Sequence, residues 1–437
     1  MNRCYLPLVV WCFVGIASAD DWVSLMSEDW RDHWYGRPGR MSPDEMAAMD
    51  TESRSEAIQK WTGEASEHWS VDEQILLNDG EGNFLVSKQQ FGDYELQLEY
   101  RTVAKADSGI YLKECPQVQI WDFTDPSKFR LGSNLGSGGL WNQPAGRRGK
   151  DPLVLADHRF GQWNHVRVVQ VGSRTSVWLN DQCVVDHALM DNYWDRGAPM
   201  PVHGSIVLQT HGGEIAWRNI RVRPLTTTQA NETLAAYQNV AYRSLFDGET
   251  LDGWVGAVDD YEVTQDGSIQ CQKGRGGNLL TSELFQNFSV RLEFRLPPGG
   301  NNGLAIRAPL EGNPAYLAMT ELQVLDHTHP RYANLDARQA HGSAYGMVGA
   351  RRGFLRQTGQ WNFQQVDVDG SAIRVELNGN EILNADLNDV SEFMAETPHP
   401  GRTRLSGHFG FAGHSDPVEF RAIFVRVLPS EEEKLRH

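Results

Sequence analysis

Cysteine is scarce in this chain, with five in 437 residues. Cys4 and Cys12 lie in the opening stretch, while Cys115, Cys183 and Cys271 stand far apart. An odd number at wide spacing is no disulfide framework, and these three are expected as small apolar side chains rather than nucleophiles. The zinc-binding spacings CxxC and HExxH are absent. Positive charge is short as well: the formal net charge is −17. That argues against nucleic acid or an anionic membrane surface as the main partner, because both select basic patches. Long hydrophobic runs are missing beyond the first twenty residues, so no later segment is expected to cross a bilayer. The opening run, MNRCYLPLVVWCFVGIASAD, has an early Arg3, an apolar middle and a small-residue ending, Ala17-Ser18-Ala19. It reads as a secretory signal over residues 1–19, with a membrane anchor as the competing reading. A cleaved signal predicts a secreted or periplasmic protein with no membrane partner after its removal.

What remains is an ordinary globular mixture, 40% hydrophobic and 22% charged, and long enough for two or more domains. It is written twice. FGDYELQLEYR (91–101) answers FQNFSVRLEFR (285–295), and SGIYLK (108–113) answers NGLAIR (302–307). ECPQVQIWD, ending at Asp122, answers MTELQVLDH, in which Asp326 is the aspartate. GQWNHVRV (161–168) answers GQWNFQQV (359–366), and GSIVLQTHGGEIAWRNIRVRPL (204–225) answers GHFGFAGHSDPVEFRAIFVRVL (407–428). The order is the same in both halves and the period is far too long for a solenoid, so the chain is a tandem of two copies of one domain.

Most matched blocks alternate polar and apolar residues, the mark of strands with one buried face. LND and LNG between such runs are hairpin signals, since Asn and Gly tolerate positive φ. Many strands and few helices predict an all-β chain of two-sheet sandwiches. Trp163 and Trp361 open strands and are expected to pack in the cores. Residues 42–61 read as a helix behind a Ser N-cap, Pro and early acids. Residues 228–240 read as a short helical linker. The expected organisation is an N-terminal segment (20–68), a first domain (69–226), a linker (227–241), a second domain (242–429) and a charged tail (430–437). Asn231 and Asn287 fit the glycosylation pattern.

LFDGETLDGW (245–254), NNGLAIR, ELQVLD, GQWN, ELNGN and GHFGFAGH, in that order, resemble the 3-keto-disaccharide hydrolase family, also described as 3-keto-glucoside 1,2-lyase/hydratase domains. The first copy is similar through SGIYLK, CPQVQIWD, GSGGLWN, GQWN and LQTHGGEIAWRNI, but it lacks a clear LFDG opening. WVSLMSEDWRDHWYG (22–36) stands as a diverged remnant of it. The resemblance implies a concanavalin A-like jelly roll and a reaction on sugars whose C3 hydroxyl is oxidised to a ketone. The ketone acidifies the C2 hydrogen; a base removes it, the C1 substituent leaves, and water adds back. Such a site needs a base, a donor for the enolate oxygen and an acid for the leaving group.

The densest group of suitable residues is the run holding Glu321, Gln323, Asp326, His327 and His329. Glu321 and Gln323 share a strand face, and strict alternation would turn Asp326 to the other side. The run would supply a base, hold a divalent ion through oxygen and imidazole, or simply form a polar strand face. Arg307 and Lys113 end matched strands and would polarise a ketone or hold hydroxyls, or merely be solvated. His414 and His211 match near strand tips as a base or sugar contact. Tyr345 and Trp141 match beside glycines and would lay a ring on a sugar face or pack in the core; His341 lies near Tyr345. The first copy has Gln117 where the second has Glu321, and its own candidates are Asp122, Gln119, Lys113 and His211. The leading expectation is a carbohydrate-active enzyme cleaving 3-keto-glycosides, with the second copy the more complete. No cofactor is required beyond that optional divalent ion. The alternatives are a glycan-binding lectin-like protein and an ordinary glycoside hydrolase with paired carboxylates.

Overall fold

The computed structural model describes residues 22–429, so the expected signal and the charged tail lie outside the described residues. Each copy is a jelly-roll sandwich of one eight-stranded and one five-stranded antiparallel sheet. In the second copy the five-stranded sheet runs Trp254–Gly256, Asn278–Phe285, Gly407–Gly413, Asn301–Ala308, Thr320–Leu325. The first copy repeats that order with Trp34–Arg37, Phe84–Phe91, Gly204–Leu208, Asp107–Leu112 and Cys115–Trp121. Alternation explains the layers. Leu304, Ile306, Leu322, Val324, Phe409 and Phe411 point into the core of the second sandwich, and Ile110, Leu112, Val118, Ile120, Ile206 and Leu208 do the same in the first.

The N-terminal segment belongs to the first sandwich. Val23–Ser24 pairs with Ile215–Pro224, as Arg243–Ser244 pairs with Glu419–Val427 in the second copy. Trp34–Arg37 pairs with Phe84–Phe91, as Trp254–Gly256 pairs with Asn278–Phe285. Trp34 donates through Nε1 to the Leu25 carbonyl at 2.8 Å, and Trp254 to that of Leu245 at 3.2 Å, so the diverged remnant keeps the geometry of the lost motif. The helix expected over 42–61 is two, Pro43–Ala48 and Thr51–Ala65. Asp50 breaks it by capping the second through the Ser53 amide.

Trp163 and Trp361 are not core residues. Each is half-buried and lies between two guanidinium groups, Arg101 and Arg218 in one case, Arg295 and Arg421 in the other. The two sequon asparagines are buried and engaged: Asn231 donates to the Trp361 carbonyl and accepts from Arg356, and Asn287 donates to Asp369. Cys115, Cys183 and Cys271 are free.

The copies dock side by side. Linker helix Thr227–Ala236 sets Ala230 and Leu234 against Val171 of the first copy and Phe363 of the second. The turn at Gly172 meets the turn at Gly379: Ser173 donates its amide to the Gly379 carbonyl at 3.1 Å and its hydroxyl to Asn380 Oδ1 at 2.9 Å. Arg174 spans the same seam as a two-point ion pair to Glu376.

Candidate functional site

On the five-stranded sheet of the second copy, Ala305 faces Glu321 and Gly303 faces Gln323 in register. Directly paired residues point the same way, so Asn301, Glu321, Gln323 and Leu325 project from the outward face, opposite the core. His414 follows the neighbouring strand on the same parity. The one-turn helices Pro314–Leu317 and Pro330–Tyr332 and the segment that follows bring Tyr316, Tyr332 and Tyr345 to its edge. Together these side chains line a cleft of ≈210 Å³. On the neighbouring strands Gly303, Ala305, Gly410 and Ala412 share this face, so little side chain stands between the acid and their backbone.

Glu321 is 2% exposed. Its Oε1 accepts from Gln323 Nε2 at 3.1 Å and lies 3.3 Å from His414 Nε2. The bond to Glu321 raises the His414 pKa above the ordinary imidazole value, against a smaller opposing effect of burial. The Tyr345 amide donates to the Glu321 carbonyl at 2.9 Å, and its hydroxyl pKa is raised by burial. The result is a buried carboxyl group with an imidazole beside it, ringed by phenols and amides: a group able to take a proton from carbon next to groups able to give one.

The other expected residues of the second copy do not reach the cleft. Asp326 Oδ2 accepts the Gly299 amide at 2.8 Å, and Oδ1 accepts the Thr328 hydroxyl at 2.6 Å. Burial pushes its carboxyl up, but those hydrogen bonds outweigh it and hold the pKa low. Asp122 does the same in the first copy, accepting from Lys105 and Thr124. The aspartate that closes both strands is therefore a loop fastener. His327 accepts the His341 amide at 3.2 Å through Nδ1. His341 is buried and stacked on Phe294. Its Nδ1 accepts from Leu325, so Nε2 carries the proton toward Gln364 Oε1, and burial pushes the pKa down to about 3.

Arg307 leaves the strand pattern at φ +50°, where the ladder has a bulge. Its guanidinium turns under the sandwich end and donates to the carbonyls of Gln286, Gly370 and Arg404 and to Asn287 Oδ1. Lys113 is its twin, at φ +51°, donating to the Gly172 carbonyl at 3.1 Å, with burial lowering its pKa to about 8. Both are structural clamps.

In the first copy the charges are rearranged. Gln117, at the place of Glu321, donates to Gln209 Oε1 at 2.6 Å and to Gln119 Oε1 at 2.9 Å. The acid sits instead at Asp107, the counterpart of Asn301. It lies 3.3 Å from His211 Nδ1, accepts from Lys128 at 2.7 Å, and accepts from Gln119 at 2.8 Å. Burial raises the Asp107 carboxyl, but His211 and Lys128 outweigh it and hold it low. The Trp141 ring is covered by the Lys150 ammonium at 3.6 Å and edged by Trp121.

Asn301, Asn313, Tyr316, Tyr332 and Gln339 escaped the sequence reading, as did Asp107, Lys128 and Gln209. Asn301 and Asp107 each stand one residue ahead of a matched block, so extending that match by one position finds them. Tyr316 and Tyr332 lie in short helical turns outside the matched blocks and carry no such signal. As for the divalent ion, no group of three or more His, Cys, Asp or Glu side chains among the described residues is placed to hold one. Glu321 and His414 offer two such ligands, too few for a protein-held site.

The profile of the 3-keto-alpha-glucoside-1,2-lyase-like domain matches residues 54–223 and again 241–426. The chain belongs to this family. A 3-keto-disaccharide hydrolase from Bacteroides thetaiotaomicron is 28% identical over 227 residues, covering 43% of this chain and 78% of that one. Among solved structures, a protein from Parabacteroides distasonis provisionally called a glycosyl hydrolase is 23% identical, with a TM-score of 0.39, covering 43% of this chain and 99% of its own. A second of that description from the same organism is 21% identical, with a TM-score of 0.38, covering 44% of this chain and 96% of its own. Family membership makes the chain a carbohydrate-active, hydrolase-like protein and gives the outward cleft of the second copy its chemical context.

Proposed function

We propose that the second copy cleaves 3-keto-glycosides by removing the C2 proton. Glu321 takes that proton, leaving the electron pair as an enolate over C2, C3 and the former ketone oxygen. The pair then forms the C1–C2 double bond as the C1–oxygen bond breaks, and the leaving oxygen takes a proton from His414. Water adds to C1 of the unsaturated ketone, C2 is reprotonated, and 3-ketoglucose is released. Asn301, Tyr316 and Tyr345 supply the donors for the enolate oxygen and the ring hydroxyls. The cleft is smaller than the ~300 Å³ at which ligand pockets usually begin, so it grips one sugar ring and leaves the rest of the glycoside outside.

The observation that carries this reading is the Glu321–His414 pair at 3.3 Å, a buried carboxyl group and an imidazole with a raised pKa in one cleft. Glu321 is the one carboxylate among the described residues lining it, which gives no footing to a hydrolase that needs two facing acids. The first copy reads as the binding half: Gln117 cannot act as a base, and Asp107 is neutralised by Lys128 and His211.

The test is incubation of purified protein with a 3-keto-disaccharide and with its unoxidised parent. Release of 3-ketoglucose from the first alone, lost in Glu321→Gln, is the expected result. Cleavage of the unoxidised sugar, or full activity in the variant, sinks the proposal.

A further inference from the structure

The seam between the copies encloses a second cavity, of ≈440 Å³, on a different face from the sugar cleft. Its walls come from both sandwiches and the linker. Arg147, Arg148, Arg174, Arg291, Arg374 and Arg426 line it, against two carboxylates, Asp367 and Glu381. Among the described residues lining it there is no lysine. Such a concentration of guanidinium groups is unexpected in a chain of net charge −17.

The acids nearby do not answer all of them. Glu376 takes Arg174 and Arg374, and Arg374 also lies 3.2 Å from Glu381. Arg148 pairs with Asp186, and Arg147 with Asp191. Asp367 accepts from Gln365 and from Ser289 and lies 3.9 Å from Arg374. Arg291 donates to Gln365 Oε1 and to linker carbonyls, and Arg426 donates to Gln238 Oε1; among the described residues neither has a carboxylate partner. His187, stacked on Tyr237 in the same wall, reports the local field. Burial first, then Arg174, Arg291 and Arg148, push its pKa down to about 3. Guanidinium groups fork onto planar or tetrahedral oxyanions through paired N–H donors, and they do so best when partly desolvated.

We propose that this arginine-lined seam binds a multiply charged oxyanion, a phosphate or sulfate group, which bridges the two copies. The site is separate from the sugar cleft and does not depend on the reaction assigned to it.

Titration calorimetry and thermal melts of the full chain with inorganic phosphate and inorganic sulfate, at constant ionic strength, test it. Binding tighter than about 1 mM with a rise in melting temperature is expected, and Glu321→Gln retains it. Arg148→Gln/Arg426→Gln weakens it about tenfold or more, with melting in the absence of anion unchanged, whereas Arg31→Gln, far from the seam, has no effect. A glucose 6-sulfate arm separates the sources: tighter binding than inorganic sulfate makes the anion sugar-borne, and equal binding makes it free. Absence of binding by all three anions overturns the proposal, as does equal binding by wild type and the seam variant.

Discussion

Glu321 lies across the backbone of Gly303, so closely that a Cβ at position 303 would sit 2.3 Å from Glu321 Oε1. The first copy repeats the relationship: a Cβ at Gly109 would fall 2.4 Å from Gln117 Cγ. Both copies keep a bare backbone here so that the longer side chain can lie flat on the sheet beside it.

Gly303→Ala must therefore displace the acid while leaving the core face untouched. Activity on a 3-keto-disaccharide is expected to fall roughly a hundredfold, since misplacing a catalytic group by about 1 Å costs that much. The melting temperature should move far less than the rate. Steady-state kinetics beside a thermal melt decides it, and an unaffected rate would show that Glu321 need not lie there.

Glu321→Gln converts the second copy to the arrangement already present in the first. Loss of kcat by about 10²–10⁴-fold follows from removing a general base. Asp107→Asn in the first copy should leave turnover intact while weakening retention on immobilised glycan. If Asp107→Asn alone abolished turnover, the division of roles between the copies would be reversed.

The Glu321–His414 pair has a pH signature. The folded pKa of His414 is raised, chiefly by its bond to Glu321. The pair therefore stabilises the fold fully below the unfolded imidazole pKa of about 6.5, and that contribution is lost as pH rises through the higher folded value. Turnover should fall across the same alkaline window as the acid loses its proton. An NMR titration of His414 in wild type and Glu321→Gln measures both; the variant's pKa should drop. A rate that climbed through this window would contradict the assignment of His414 as the acid.

Arg307→Met should act on stability and not on substrate affinity. Arg307 is 1% exposed, and its guanidinium serves four oxygen acceptors in the turns at the sandwich end. Unpaired buried acceptors cost about 1–3 kcal/mol each, so a loss of about 3–5 kcal/mol remains after partial relaxation. Denaturant titration gives the stability and initial rates give KM; a raised KM with unchanged stability would return Arg307 to the substrate.

Period 2 made the doubled sandwich legible, because each strand buries one face, and it marked Glu321 and Gln323 as sharing the other. It misplaced Arg307 for a physical reason: a residue at positive φ inside a bulge no longer obeys the alternation. Asp326 and His327 fall after the strand has ended, where loop hydrogen bonds and not the pleat decide direction. His341 is a titratable residue whose role is set by Phe294 and Gln364, neither near it in sequence. Tyr316 and Tyr332 arrive on one-turn helices between strands, and nothing local in their composition says which sheet they will cover. The N-terminal strands hid because their motif had diverged while the tryptophan-to-carbonyl bond of Trp34 had not.

The meeting of the two turns reaches beyond the seam itself. A Cβ on Gly172 would stand 2.3 Å from the Asn378 carbonyl oxygen, and one on Gly379 would stand 2.2 Å from that of Val171. Bare main chain thus presses on bare main chain from both sides, and either residue must stay glycine for the halves to close. Severing the chain in its connecting helix would not release two self-sufficient spare parts. Each fragment would carry a raw patch shaped by its sibling, and a graft from another tandem protein would seat only if it too brought a glycine to that kiss of loops.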